Sequence, residues 1–105
     1  MGLFSLFAGG GMTENVADAR KIGALIVDVR EADEYRRGHI EGALNVPLSD
    51  LASIRKIAPD KQTPLRLYCA SGARSTRAVG QMKAMGYADV SNMGGIMGYR
   101  GPLER

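Results

Sequence analysis

Apolar and polar residues alternate along this chain in blocks that suit strands and helices in turn. The runs Ala24 to Val29 and Leu65 to Cys69 are almost continuously apolar, which is typical of strands covered by helices on both faces. From Ser75 to Met85, apolar residues recur instead at the spacing of a helix with one buried face. This alternation predicts an α/β fold, a doubly wound sandwich whose central, mostly parallel sheet has about four or five strands.

Cap and turn residues set the expected bounds of the shorter elements. Thr13 is a suitable N-cap, Gly23 and Gly86 stop helices, and prolines close two further segments. We expect helices over 14–22, 31–37, 49–58 and 75–85, strands over 24–29, 43–46, 65–69 and 89–92, and a helix or turn over 96–99.

The length and composition predict one globular domain. The chain has 105 residues, of which 45% are hydrophobic and 24% charged, and a domain of this size buries roughly two-thirds of the surface that its unfolded chain exposes. We expect a flexible N-terminal segment over 1–12, which includes the run Gly9-Gly10-Gly11, and a single domain over 13–105. The six methionines are expected to fill the core.

The charge pattern limits the classes of partner. A net charge of +3 comes from basic residues scattered without a cluster, which favours small anionic ligands over nucleic acid. The apolar residues at the N-terminus are too few for a membrane span, so no membrane partner is expected.

The cysteine and histidine counts limit the chemistry further. A single cysteine cannot form an internal disulfide and indicates a reducing compartment, so we expect a cytoplasmic protein. One cysteine and one histidine are also too few for the usual zinc sites, and the chemistry below requires neither a metal nor an organic cofactor.

Cys69 itself ends a predicted strand, where doubly wound sheets bind their ligands. The small residues Ala70, Ser71, Gly72 and Ala73 follow it, and their backbone N–H groups are expected to turn inward as an anion-binding nest. Arg74 and the start of a helix add positive charge at the same place. Each of these features lowers a thiol pKa, which predicts that Cys69 is a thiolate nucleophile at neutral pH.

The spacing of the loop indicates what it holds. The pattern is Cys-x4-Arg, one residue shorter than the Cys-x5-Arg loop with which a phosphatase encircles phosphate. The smaller loop suits a sulfane sulfur or a cysteine persulfide. A small phosphatase or an arsenate reductase is the less favoured alternative.

Three motifs in order resemble the rhodanese (sulfurtransferase) family. They are the six-residue loop from Cys69 to Arg74, the stretch DVREADEYRRGHIEGALNVPL over 28–48, and NMGGIMGYRGP over 92–102. The resemblance implies the rhodanese-like α/β sandwich, sulfur transfer through a persulfide, and Cys69 as the catalytic residue. Tyr99 stands where many members of the family have tryptophan, and only one domain is present.

Four further residues are expected to support the site. Asp28 and Arg30 follow a strand and are expected to form an ion pair or hydrogen-bond network beside the Cys69 loop. His39 is expected to hydrogen-bond the loop from Gly38 to Ala43, and Arg77 to extend the anion site or to face solvent. Glu31 and Glu34 need only stabilise the start of a helix.

The function expected from these features is a thiosulfate sulfurtransferase-like activity. The Cys69 thiolate would accept sulfur from thiosulfate or a persulfide, with Ala70 to Arg74 holding the anion, and pass it to cyanide, a thiol or a protein acceptor. A sulfur-carrier or regulatory module, which binds partners without turning over free substrates, is the alternative from a different class.

Overall fold

The computed structural model describes residues 11–105 as alternating helices and strands. The helices are α1 (Met12–Lys21), α2 (Ala32–Arg37), α3 (Ile54–Ile57) and α4 (Ala73–Ala84). The strands are β1 (Leu25–Asp28), β2 (His39–Ile40), β3 (Leu44–Asn45), β4 (Leu65–Cys69), β5 (Val90–Gly95) and β6 (Leu103–Glu104). Two 3-10 helices cover Leu48–Ser53 and Ile96–Gly98.

The central sheet has four parallel strands in the order β3-β1-β4-β5. Successive side chains of a strand point to opposite faces, so Ile26 and Tyr68 contact α1 on one face, whereas Val27 and Leu67 belong to the cluster of α3 and α4 on the other. The expected α/β sandwich, with a parallel sheet of four strands between helices, is confirmed.

All of the central strands run in one direction, so their carboxyl ends lie at one edge of the sheet. β1 ends at Asp28 and β4 ends at Cys69, which lies opposite Gly95 at the end of β5. A bulge in β5 shifts the register, so that Leu67 pairs with Asn92 but Tyr68 pairs with Gly94. Bulges often re-aim side chains next to a site, and this one lies directly beside the Cys69 loop.

A short antiparallel pair outside the central sheet was not expected from the sequence. β2 pairs with β6, with His39 opposite Glu104 and Ile40 opposite Leu103. Two-residue strands carry too little periodicity to be recognised before the chain folds. This pair connects the C-terminal end of the domain to the segment after α2.

Several expected bounds were wrong. α1 begins at Met12, and its N-cap is Gly11 instead of Thr13, whose hydroxyl accepts a hydrogen bond from the backbone N–H of Arg100. The expected helix over 49–58 is mostly a 3-10 helix, with only α3 in α-helical form. β5 continues past Asn92 to Gly95.

Most of the methionines named in the core are buried, and one is not. Met12, Met82 and Met93 are buried as expected, but Met97 is 81% exposed, so the core prediction was wrong for that residue.

Residues 1–10, which make up most of the segment expected to be flexible, lie outside the described residues. In the described part of the chain, no helix combines the length and the apolar character needed to cross a membrane.

Candidate active site

Cys69 lies beneath a loop whose hydrogen-bond donors point at its sulfur. Its Sγ accepts hydrogen bonds from the backbone N–H of Gly72 at 3.0 Å and of Ser75 at 3.4 Å, and lies 3.3 Å from the Ser75 hydroxyl. The cysteine is only 1% exposed and belongs to the core cluster of the sheet. The sulfur is therefore buried but held by polar donors on the loop side.

Gly72 gives the loop its sharp turn. Its φ of 106° lies in the region that favours glycine, and α4 begins at the next residue. The Gly72 carbonyl then accepts hydrogen bonds from the backbone N–H of Thr76 at 3.0 Å and from the Thr76 hydroxyl at 2.8 Å. The N-terminus of α4 is thus fastened beside the sulfur.

Asn92 organises the loop from the neighbouring strand, a role that the sequence reasoning missed. Its side-chain N–H groups donate to the Gly72 carbonyl at 3.1 Å and to the Thr76 hydroxyl at 2.9 Å. Its Oδ1 accepts from the Ser75 hydroxyl at 2.7 Å and from the Gly94 N–H at 2.9 Å. The signal that could have indicated it is an amide side chain at the end of the expected strand over 89–92, the edge at which doubly wound sheets bind ligands.

Gly95 lets β5 approach the loop closely. A Cβ atom at this position would overlap the carbonyl oxygen of Ala70 and would lie 2.6 Å from the Cα of Ser71. The carbonyl oxygen of Ala70 also accepts a hydrogen bond from the backbone N–H of Met97 at 3.2 Å. The pair Gly94-Gly95 thus provides a positive φ for the bulge at Gly94, which is 118°, and a backbone contact at Gly95.

The balance of burial and hydrogen bonding sets the charge of the thiol. Burial raises the pKa of Cys69, but hydrogen bonds from the side chain and backbone of Ser75 and from the backbone of Gly72 lower it. The lowering effects are larger in sum, so the net pKa lies below its ordinary value. Polar donors in an otherwise apolar setting thus favour the thiolate.

Arg74 does not lie free at the loop. Its Nη1 and Nη2 donate to the two carboxylate oxygens of Glu34 at 2.7 and 3.0 Å. The hydrogen bond from Arg74 is the largest of the causes that lower the pKa of Glu34 to about 2. Hydrogen bonding to Glu34 in turn raises the pKa of Arg74, and the negative charge of Cys69 contributes in the same direction. The expectation that Glu34 serves only its own helix was wrong.

Comparison with known proteins assigns the family. The model of the rhodanese-like domain family matches residues 12–101. The chain belongs to the rhodanese-like domain family.

Individual relatives agree with this assignment. The thiosulfate sulfurtransferase PspE of Escherichia coli (strain K12) is 37% identical over 71 residues, which are 67% of this chain and 68% of that protein. The putative sulfur carrier protein YrkF of Bacillus subtilis (strain 168) is 35% identical over 68 residues, 65% of this chain but only 36% of that protein. A structure described as rhodanese with anions from E. coli has a TM-score of 0.73 and 32% identity, covering 78% of this chain and 98% of that one. The relatives support a rhodanese-type sulfurtransferase function in general terms.

In this rhodanese-like domain, Asp28 and Arg30 form a buried ion pair. Arg30 Nη2 lies 2.7 Å from Asp28 Oδ2 and also donates to the carbonyl of Gly38 at 2.7 Å. The guanidinium lies 5.9 Å from the ring centre of Tyr68, the residue before Cys69. Burial, and then the charge of Asp28, raise the pKa of Tyr68, whose hydroxyl accepts a hydrogen bond from the N–H of Ile40. Arg30 therefore links the end of β1 to Gly38 after α2, and the Tyr68 hydroxyl links Ile40 of β2 to the strand that carries the cysteine.

His39 and Arg77 lie away from the sulfur's hydrogen-bond shell. His39 stacks on Tyr35 with ring centres 3.7 Å apart, and its Nδ1 lies 2.9 Å from the carbonyl oxygen of Tyr35. The expected hydrogen bond to the 38–43 loop was therefore wrong; the second ring nitrogen lies 3.6 Å from a carboxylate oxygen of Glu104. Arg77 is exposed on α4.

The described residues contain no group of three or more histidine, cysteine, aspartate or glutamate side chains arranged to hold a metal ion.

Proposed function

We propose that this protein is a sulfurtransferase that moves a sulfane sulfur through a persulfide on Cys69. The observation that carries the proposal is the cradle around Sγ, where the N–H groups of Gly72 and Ser75 meet a cysteine whose pKa is lowered. The same donors stabilise a negative charge on the sulfur before the reaction and on the persulfide after it. The relative named thiosulfate sulfurtransferase supports this reaction class.

The reaction takes two steps. The Cys69 thiolate attacks the outer sulfur of thiosulfate, a new S–S bond forms, and the old S–S bond breaks as sulfite leaves with the electron pair. Cyanide or a thiol then attacks the outer sulfur of the persulfide, and the Cys69 thiolate is released. No net oxidation or reduction of the enzyme occurs over the cycle.

The loop residues Ala70 to Arg74 supply binding in this proposal. Gly72 donates its N–H to the sulfur, Ala70, Ser71 and Ala73 are small enough to let a donor approach, and Arg74 orients an anionic donor. Because Cys69 is only 1% exposed, a single terminal sulfur reaches it more easily than a tetrahedral phosphorus centre does. We therefore favour sulfur transfer over phosphatase or arsenate reductase activity.

The remaining residues have indirect roles. Arg30, paired with Asp28, holds the segment after α2 through Gly38, and His39 holds the same segment through Tyr35 of α2. Arg77 increases the positive potential on α4. A lone thiol that must stay reduced suits the cytoplasm. The N-terminal residues are left without a function in this proposal.

Intact-protein mass spectrometry tests the proposal directly. After incubation with thiosulfate, the wild-type chain is expected to gain one sulfur atom, and addition of cyanide is expected to remove it with release of thiocyanate. Cys69→Ser is expected to do neither, because it lacks the attacking sulfur. Ser53→Ala, which changes a hydroxyl bonded only to the Asp50 carbonyl in the described structure, serves as the control. Equal thiocyanate release by wild type and Cys69→Ser would contradict the proposal.

The second candidate function is a sulfur carrier, favoured by the similarity to YrkF, which is named a putative sulfur carrier protein. A carrier keeps the Cys69 cradle but accepts sulfur from a partner protein. A persulfide on Cys69 in protein isolated from cells, together with negligible thiosulfate turnover, would support the carrier over the enzyme.

A further inference from the structure

The pairing of Arg74 with Glu34 changes the charge that a sulfur donor meets at the loop. The two side chains join the start of α2 to the start of α4 across 40 residues of sequence, through two hydrogen bonds of 2.7 and 3.0 Å. We propose that Glu34 is a specificity-determining residue, an inference that rests on the proposed sulfur transfer. By neutralising Arg74, Glu34 disfavours donors that carry two negative charges.

Both partners of this pair stay charged. An arginine side chain is protonated at every physiological pH, and the carboxylate of Glu34 remains ionised because its pKa is lowered to about 2. The pair therefore adds no net charge to the site. The nearby pair of Arg30 and Asp28 is also neutral as a unit, so the fixed backbone donors and the N-terminus of α4 provide most of the attraction for an anion.

The consequence depends on the charge of the donor. A dianion such as thiosulfate is repelled by the Glu34 carboxylate twice as strongly as a monoanion at the same place, because Coulomb energy is proportional to charge. A persulfide or another donor with one charge or none is affected less. The wild-type protein is thus selective for donors of low charge, and its use of thiosulfate is restrained.

Glu34→Gln isolates the charge from the structure. In the wild type, Glu34 Oε1 also accepts the backbone N–H of Glu31 at 3.0 Å as part of the cap of α2. A glutamine oxygen keeps that acceptor and can still accept one hydrogen bond from Arg74. The matched control is Asp33→Asn, because Asp33 is the adjacent carboxylate and pairs at 2.8 Å with Arg37 instead of Arg74.

Alkylation of the sole cysteine provides a test that requires no turnover. Thiolate attack displaces iodide from iodoacetate, an anion, or from iodoacetamide, which is neutral. The ratio of the two rates cancels any change in thiolate fraction or in loop opening. We expect Glu34→Gln to raise the iodoacetate-to-iodoacetamide ratio by about threefold at low salt, and Asp33→Asn to leave it near the wild-type value.

The two donors thiosulfate and methanethiosulfonate extend the test to turnover. They carry two charges and one charge, and both present a sulfane sulfur. We expect Glu34→Gln to raise kcat/KM about tenfold for thiosulfate and about threefold for methanethiosulfonate, mainly through KM. An equal change for both donors, or the same alkylation ratio as in Asp33→Asn, would overturn the role of Glu34.

The outcomes separate this proposal from the proposed function. If the wild type transfers no sulfur from either donor but the alkylation ratio still rises in Glu34→Gln, sulfur transfer fails and the charge selectivity stands. If both donors are used and the alkylation ratio does not change in Glu34→Gln, sulfur transfer stands and the role of Glu34 fails. Glu34→Asp, which retains the charge, is expected to keep the wild-type alkylation ratio. If circular dichroism shows that Glu34→Gln folds poorly, Glu34→Ala replaces it, with the same expected rise in the iodoacetate-to-iodoacetamide ratio.

Discussion

At the scale of single residues, the charge of one sulfur depends on a few hydrogen bonds. Burial opposes ionisation of Cys69, whereas donors from Ser75 and Gly72 favour it. The Ser75 hydroxyl has a single proton but lies 2.7 Å from Asn92 Oδ1 and 3.3 Å from Cys69 Sγ. Hydrogen bonds to charged acceptors are the stronger ones, so we expect this proton to turn towards the sulfur once the thiol ionises.

Ser75→Ala removes that donor and is expected to raise the thiol pKa. The measurement is the pH dependence of iodoacetamide alkylation, whose midpoint reports the pKa of the only cysteine. A higher pKa leaves less thiolate at a given pH, so alkylation below the wild-type midpoint is expected to slow several-fold in Ser75→Ala. Ser53→Ala is the control. An unchanged midpoint in Ser75→Ala would show that the backbone N–H groups alone set the charge.

At the scale of elements, the site depends on how closely β5 approaches the loop that joins β4 to α4. Gly95 has an ordinary extended backbone, with φ of −123° and ψ of 144°, so its need for glycine comes from space alone. The backbone of Ala70 and Ser71 occupies the position where a side chain would lie. Contact between two backbones leaves nothing flexible that could move aside.

Gly95→Ala is therefore expected to displace the loop and to destabilise the fold. We expect a loss of about 2 kcal/mol or more in the free energy of unfolding by urea, together with a higher thiol pKa, because the loop donors would leave the sulfur. Gly80→Ala is the matched control, since a Cβ there meets nothing within 4 Å. In the interior of α4 it is expected to stabilise by about 0.5–1 kcal/mol. A Gly95→Ala protein as stable as Gly80→Ala would refute the steric role of Gly95.

At the scale of the whole molecule, the ionisation of the site is linked to folding. The unfolded chain has a thiol of ordinary pKa, whereas the folded chain has a lowered one. Between the two pKa values, the unfolded state binds the proton and the folded state does not, so stability rises with pH in that interval. The contribution is fully present above the unfolded pKa and is lost as the pH falls through the folded pKa.

Urea unfolding with reductant at pH 6 and pH 9 tests this linkage. The free energy of unfolding of the wild type, relative to that of Cys69→Ala, is expected to be higher at pH 9 than at pH 6. Other titrating groups are shared by both proteins and cancel in the difference. A difference that stays constant, or that shrinks as the pH rises, would mean that the folded protein does not favour the thiolate.

Much of the fold could be predicted because its signals are local. The structure confirms the elements predicted from neighbouring residues. They are the apolar runs of β1 and β4, the helical spacing in α4, and Gly72 as the turn in the loop after Cys69. Short elements such as β2 and β6 could not be predicted, because two residues provide no periodicity and their pairing joins distant parts of the chain.

The sequence by itself determined the order of the longer strands and helices and the placement of a thiol at the end of a parallel strand. Only the tertiary structure decided which side chains meet there. Glu34 reaches Arg74 across 40 residues, and Asn92 reaches Ser75 across 17. The physical reason is that such contacts depend on how distant elements pack. The first needs the start of α2 to meet the start of α4, and the second needs the register of β5 at its bulge, where a shift of one residue turns a side chain to the other face of the sheet.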